Sequence, residues 1–214
     1  MREMIYFGDT MCSWCWGFAP VVTQLRDKYQ GRVKFTLSLG GLRPGDLAEP
    51  MNDKTKRYIK HHWHEVAKAT GQPFKYDFFE WNDFVYDTEP ASKAVRTMRE
   101  ISPEHEFDFF KEVQHAFYAE NLNVTTDEVL YELAQKYEID MVSFKEVFNS
   151  EDLKKNTYRE FYSAAQLGVT GFPTILFQED GKYMYLTRGY QPFENLDQYV
   201  EAFATSGFAA AAQQ

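Results

Sequence analysis

Residues 8–20 read GDTMCSWCWGFAP and hold both cysteines of the 214-residue chain, two residues apart, beside two of its four tryptophans. A pair so spaced can be a structural staple, half of a metal site or a redox centre, and the flanking sequence discriminates. Upstream, residues 3–7 (EMIYF) form a short apolar run that Gly8 and Asp9 end, as expected of a buried strand. Downstream, residues 17–31 place Phe18, Val21, Val22 and Leu25 on one helical face, with Gly31 as the stop. The cysteines therefore fall at a strand-to-helix junction, on the first turn of a helix. Residues i and i+3 share a face there, which brings the two Cα atoms near the ~5.5 Å that a disulfide prefers. Cys12 is expected where the unpaired N–H groups of the helix point, so its thiolate is stabilised and its pKa falls below the free value of about 8.5. Cys15, one turn inside, is expected to be buried and to resolve a mixed disulfide.

Zinc would need two further ligands. There is no third cysteine, and His61, His62 and His64 lie inside an amphipathic helix rather than at zinc-finger spacing. They read as a solvated helix face. Two unrelated buried thiols would leave the spacing to coincidence.

Strand, helix and the alternating Val33, Phe35, Leu37, Leu39 run closed by Gly40-Gly41 make a βαβ unit. From 44 to 167 the sequence is helical. One helix carries Ile59, Trp63, Val66 and Ala67 on a face ending at Gly71, and an aromatic-rich connection spans 72–87. Thr88 with Pro90 reads as a helix start, with Ala91, Ala94, Val95, Met98 and Ile101 facing inward. A further helix over 103–120 turns Phe109, Phe110, Val113 and Phe117 inward. Thr125-x-x-Glu128 and Ser143-x-x-Glu146 read as capping boxes opening two more, and a last one runs from 151 to 167. The chain then returns to strands: PTILFQ, an Asp180-Gly181 turn, YMYLTRG, and a final helix over 193–205 before a frayed tail. The order β-α-β, helices, β-β-α predicts one α/β sheet built from 1–43 and 168–206, an all-helical insertion at 44–167, and a flexible tail at 207–214.

The formal net charge of -9 argues against a nucleic-acid partner. No apolar run approaches the ~20 residues of a membrane span, and none resembles a secretory leader. With Met1 as the start, the expected location is the cytoplasm, where thiols are kept reduced and a permanent disulfide is not expected.

A second motif bears on the cysteines. GVTGFPTILF, residues 168–177, sets Pro173 at the start of a strand, where a residue that cannot donate to the ladder needs a reason. Together with the CxxC, it resembles the cis-proline loop that faces the disulfide in thioredoxin folds. CSWCWGFAP, YDTEPASKAV (86–95), GVTGFPT and the insertion topology make the chain resemble, over nearly its whole length, the DsbA-like branch of the thioredoxin superfamily. It looks closest to the cytosolic, FrnE-like members.

That resemblance implies a thiol–disulfide oxidoreductase acting on protein or peptide thiols, with Cys12 as nucleophile and Cys15 as resolving thiol. It makes Pro173 the cis-proline, with Thr170, Gly171 and Phe172 shaping the substrate groove. The cis bond would turn the backbone of residue 172 outward to pair with an extended substrate. Phe172 stands where relatives often carry a smaller residue, so the groove is expected to be narrower or to favour apolar partners. Ser13-Trp14 replaces the Pro-His pair of the strong periplasmic oxidase, which implies weaker oxidising power. Trp16 is expected in the core, and Trp14 on an exposed rim meeting substrate.

No metal is implied and no bound cofactor. Glutathione stays open as a co-substrate, and the recycling reductant or oxidant is not given. Two other readings stand beside exchange. One is a glutathione-dependent isomerase or kappa-class glutathione transferase, which typically has serine in the first position. The other is a redox-sensitive chaperone or binding protein using the aromatic insert, although residues 74–86 read more readily as core packing.

Overall fold

The computed structural model describes residues 2–208. Four strands form one sheet: β1 (Glu3–Gly8), β2 (Lys34–Leu39), β3 (Thr174–Glu179) and β4 (Lys182–Arg188), in the order β2-β1-β3-β4. β1 and β2 are parallel, and β3 runs antiparallel to both β1 and β4. Side-chain alternation divides the sheet into two faces. Met4, Tyr6, Ile175 and Phe177 enter the main core, whereas Phe7 and Leu176 form a smaller cluster with Ala164 and Val169. The β3–β4 turn carries Asp180 (φ 50°) and Gly181 (φ 76°), the left-handed pair that a tight hairpin requires.

The first helix, α1 (Ser13–Tyr29), begins immediately after Cys12, four residues ahead of the periodic apolar stretch that announces it. Pro20 lies within it and cannot donate to the Trp16 carbonyl. Gln72 Nε2 donates to that carbonyl instead, at 2.9 Å, so the orphaned acceptor is satisfied from another part of the chain.

Six helices separate β2 from β3 in sequence: α2 (Asp53–Thr70), α3 (Glu89–Ile101), α4 (Glu106–Tyr118), α5 (Asp127–Gln135), α6 (Met141–Phe148) and α7 (Glu151–Gln166). Helix α8 (Phe193–Ser206) follows β4. The main-core face of the sheet packs on α1 and α8: Tyr6 meets Phe18, and Phe177 stacks on Phe203 at 4.0 Å. Helix α7 lies against the other face, next to β2. Glu160 of α7 joins the layers: it takes Leu39 N–H at 2.8 Å, Arg96 at 2.5 Å and Arg99 at 2.8 Å.

The connection at 72–87 packs into the core. It contains a short 3-10 helix, Tyr76–Glu80, and its Phe78, Phe79, Phe84 and Tyr86 are buried. Trp63 of α2 is fully buried, with the Phe78, Phe79 and Tyr118 rings 5.1, 4.8 and 5.0 Å away.

Three expectations about helix starts need correcting. Thr125 does not cap α5; its N–H and hydroxyl bind the Asn123 side chain, and the helix begins after Thr126. Ser143 lies inside α6, which Asp140 caps by accepting from Val142 N–H at 3.0 Å. Both pseudo-boxes lose to a nearby Asx side chain, which reaches backbone donors at shorter range. Thr88 does occupy the N-cap of α3, but its hydroxyl accepts from Arg43 N–H rather than capping. Of the expected tail, Gly207 and Phe208 are packed: Phe208 N–H donates to Glu179 at 3.0 Å, and its ring lies against Phe203. Residues 209–214 lie outside the described residues.

Candidate active site

Cys12 occupies the N-cap of α1, and Ser13 is the first helical residue. A tight turn presents it: Cys12 N–H donates to Asp9 O at 3.3 Å, and Trp16 N–H to Cys12 O at 3.1 Å. Both thiols are free; Cys12 is 7% exposed and Cys15 is fully buried. Cys12 Sγ donates to the Phe172 carbonyl at 3.4 Å, across 160 residues of sequence. The Phe172–Pro173 peptide is cis, and Pro173 O accepts from Gly189 N–H at 2.7 Å. The structure thus brings together Cys12, Cys15, Phe172 and Pro173, with Thr170 and Gly171 exposed in the adjoining loop.

Phe172 is held by an absence on the opposite loop. A Cβ placed on Gly40 would sit 2.0 Å from the Phe172 ring, so only glycine lets the ring lie there. Trp14 is half-buried rather than free on the rim, its ring 5.9 Å from that of Tyr190. Trp16 belongs to the core, and its indole N–H donates to Pro73 O at 3.0 Å. His61 and His64 are exposed, and His64 stacks on Tyr76. Among the described residues, no group of three His, Cys, Asp or Glu side chains could hold a metal ion.

The residues beneath the cysteines were not singled out from sequence. Asp9 stands out only as the stop of a strand, yet its side chain is fully buried. One carboxylate oxygen accepts from Met11 N–H at 2.9 Å and the other from Leu42 N–H at 2.8 Å, which ties the CxxC turn to the loop after β2. Burial pushes its pKa up to about 6, against the lowering pull of those two N–H groups and the Thr88 hydroxyl. The Tyr6 hydroxyl is buried beside Cys15 and has no oxygen or nitrogen partner. Burial holds the Cys15 thiol well above its ordinary value, and the adjacent Cys12 adds to this. The Asp9 backbone N–H and the Tyr6 hydroxyl act in the opposite direction.

The helical segment closes the back of the turn. Tyr86 donates to Met11 O at 2.5 Å and Gln114 to Asp9 O at 3.2 Å. Asp87 accepts from Gly45 N–H and Glu89 N–H, both at 2.8 Å. The motif at 86–95 is therefore physically part of the site, through its first three residues.

Residues 3–201 match the family model for the DSBA-like thioredoxin domain. The chain belongs to that family. The free cysteine pair and the cis-proline described above both lie within the matched segment. A structure from Nitrosomonas europaea, of a protein proposed to be a protein disulfide isomerase, is 36% identical with a TM-score of 0.84, over 95% of this chain and 98% of that one. The cytosolic disulfide reductase DsbM of Pseudomonas aeruginosa shares the fold at 22% identity and a TM-score of 0.74, over 99% and 96% of the two chains. That protein is also known with GSH. Among curated proteins, the ClpXP adapter protein SpxH of Bacillus subtilis is 24% identical over 176 residues, or 82% of this chain. The chain spans only 58% of that relative's length. No helix among the described residues is long and apolar enough to cross a membrane.

Proposed function

We propose that this DsbA-like family member exchanges disulfides with protein or peptide thiols through a mixed disulfide on Cys12, in the cytoplasm. The observation that carries the reading is the contact of Cys12 Sγ with the carbonyl next to Pro173, while Cys15 lies fully buried behind it. In the reducing direction the Cys12 thiolate attacks one sulfur of a substrate disulfide, and the other sulfur leaves as a thiolate that takes a proton. Cys15 then attacks Cys12 Sγ. The Cys12–substrate bond breaks, the Cys12–Cys15 bond forms, and the leaving thiolate picks up the proton that Cys15 gave up. The pair is oxidised by two electrons and the substrate reduced by two.

The order of events follows from burial. Cys15 is held as a thiol both by desolvation and by the neighbouring Cys12 charge. Once Cys12 is bound in a mixed disulfide that charge is gone, and burial alone still raises Cys15 against the Tyr6 hydroxyl and Asp9 N–H, which stabilise its thiolate. The resolving sulfur is therefore activated by the first step.

Two thiols favour dithiol exchange over activation of an external thiol, with glutathione as a co-substrate that returns the pair to its reduced state. The test is trapping with Cys15→Ala in cells, followed by identification of the adduct under non-reducing conditions. Adducts that vanish in the Cys12→Ser, Cys15→Ala double variant support the reading. Insulin reduction that persists undiminished in Cys12→Ser overturns it.

A further inference from the structure

The loop before Pro173 borders a cleft of ≈ 270 Å³, lined by residues 168–172 and by Thr174, Tyr185, Arg188 and Gly189. Three observations give this cleft a chemistry. First, Tyr185 and Arg188 are three residues apart on β4, so on a regular strand they would point to opposite faces. The register shifts between Ile175 and Leu176: Ile175 pairs with Thr187, but Leu176 pairs with Tyr185. The extra residue, Leu186, turns into the main core, and Tyr185 and Arg188 emerge on the same side, opposite Leu176 and Thr174. A bulge of this kind re-aims side chains.

Second, the two side chains pack on each other, although Arg188 is exposed. The Tyr185 hydroxyl donates to Gly168 O at 2.9 Å, and the Arg188 guanidinium lies 3.7 Å above the Tyr185 ring. Among the described residues no carboxylate comes within salt-bridge distance of Arg188, in a chain of formal charge -9. Third, the backbone N–H groups of Thr170, Gly171 and Phe172 have no backbone acceptor among the described residues. Residues with N–H groups that lack a backbone acceptor, and a guanidinium without a carboxylate partner, thus line this cleft, next to the carbonyl that touches Cys12.

We infer that this cleft is a carboxylate subsite, so that the preferred partner of Cys12 is an acidic peptide thiol. The inference rests on the exchange reading. A substrate strand paired with Phe172 runs on past Gly171 and Thr170, and alternate side chains project to the same side. An acidic side chain two residues from the reacting cysteine, or the terminal carboxylate of a short peptide, then meets Arg188. A guanidinium accepts a carboxylate through two parallel N–H bonds, which gives direction as well as charge.

The experiment measures the rate at which peptide thiols reduce the oxidised Cys12–Cys15 pair, followed by tryptophan fluorescence. Two pairs of probes are used: hexapeptides with Glu or Gln two residues on either side of a single cysteine, and glutathione against its dimethyl ester. The expected result is a preference of up to about fivefold for the carboxylate form, the upper size of an exposed ion pair. The preference shrinks in ~0.5 M sodium chloride, falls to near unity in Arg188→Gln and is only partly kept in Arg188→Lys, which retains the charge without the paired N–H bonds. A preference with the hexapeptides alone assigns the subsite to protein segments, and one with glutathione alone to the tripeptide. Equal rates for every acid and its neutral partner in the wild type overturn the subsite and leave exchange standing, as does a preference that survives in Arg188→Gln. Failure of all four probes to reduce the pair overturns the exchange reading and this inference together.

Discussion

Asp9→Asn isolates the cost of holding a carboxylate beneath the redox turn. In the folded protein the Asp9 carboxyl is fully buried and its pKa is pushed up to about 6, against 3.8 for the free side chain. Between those two values the native state keeps a proton that the unfolded chain has lost. Unfolding there releases a proton, so Asp9 makes stability fall as pH rises from about 4 to about 6. A shift of about 2 units at ~1.4 kcal/mol each comes to about 3 kcal/mol. Asparagine has nearly the same shape and never ionises in this range. Whatever it loses as an acceptor for Met11 and Leu42 N–H is the same at every pH. Urea unfolding of both reduced proteins between about pH 4 and pH 7.5 gives the unfolding free energy of the variant minus that of the wild type. Contributions from every other carboxylate cancel in this difference. It should rise by about 2.5 kcal/mol across the interval, the rest lying below pH 4, with its steepest part near pH 5. A difference flat to within ~0.5 kcal/mol would mean that Asp9 ionises normally, and would refute the reasoning from burial.

Gly40→Ala should cost ~1–3 kcal/mol in urea unfolding, because its new methyl meets the Phe172 ring. In Phe172→Ala the same change should be nearly free, so the double-mutant cycle should show a coupling of similar size. Glu160→Gln leaves Arg96 and Arg99 without their shared carboxylate in a site where the Glu160 side chain is 10% exposed. A loss of about 3 kcal/mol is expected in the same assay; a loss near zero would place the network with ordinary surface pairs.

The sheet and its connections were legible because their signals are local. The Val33–Leu39 alternation, the Asp180-Gly181 turn and the glycines at 31, 71 and 168 each follow from a short window of sequence, and each is found with positive φ or, from Lys34 to Leu39, in a strand where expected. The cysteine pair and Pro173 could be joined, 160 residues apart, only through resemblance to a family. What sequence did not reveal depends on long-range partners. Asp9 reads as turn punctuation until Leu42 N–H is seen at its carboxylate. Gln72 has no local role until Pro20 strips the Trp16 carbonyl of its donor. The failed capping boxes show the reverse error, in which a correct four-residue pattern was outcompeted by Asn123 and Asp140 a few residues away. The bulge at Leu186 leaves no mark in the alternation of YMYLTRG and appears only in the pairing with β3.

The hydrogen bonds from Tyr86 and Gln114 to the carbonyls of Met11 and Asp9 bear on how far the chain could be reduced. A version trimmed to the four strands and their two flanking helices would expose both carbonyls, and the Thr88 hydroxyl that steadies Asp9 would be gone with the deleted segment. The loop after β2 would also lose its anchors at Thr88 and Asp87. Such a miniature would keep the two sulfurs in its sequence and lose the surface that aims them. The segment between β2 and β3 is thus a supporting wall of the cysteine turn, and the smallest unit that can hold Cys12 in place includes it.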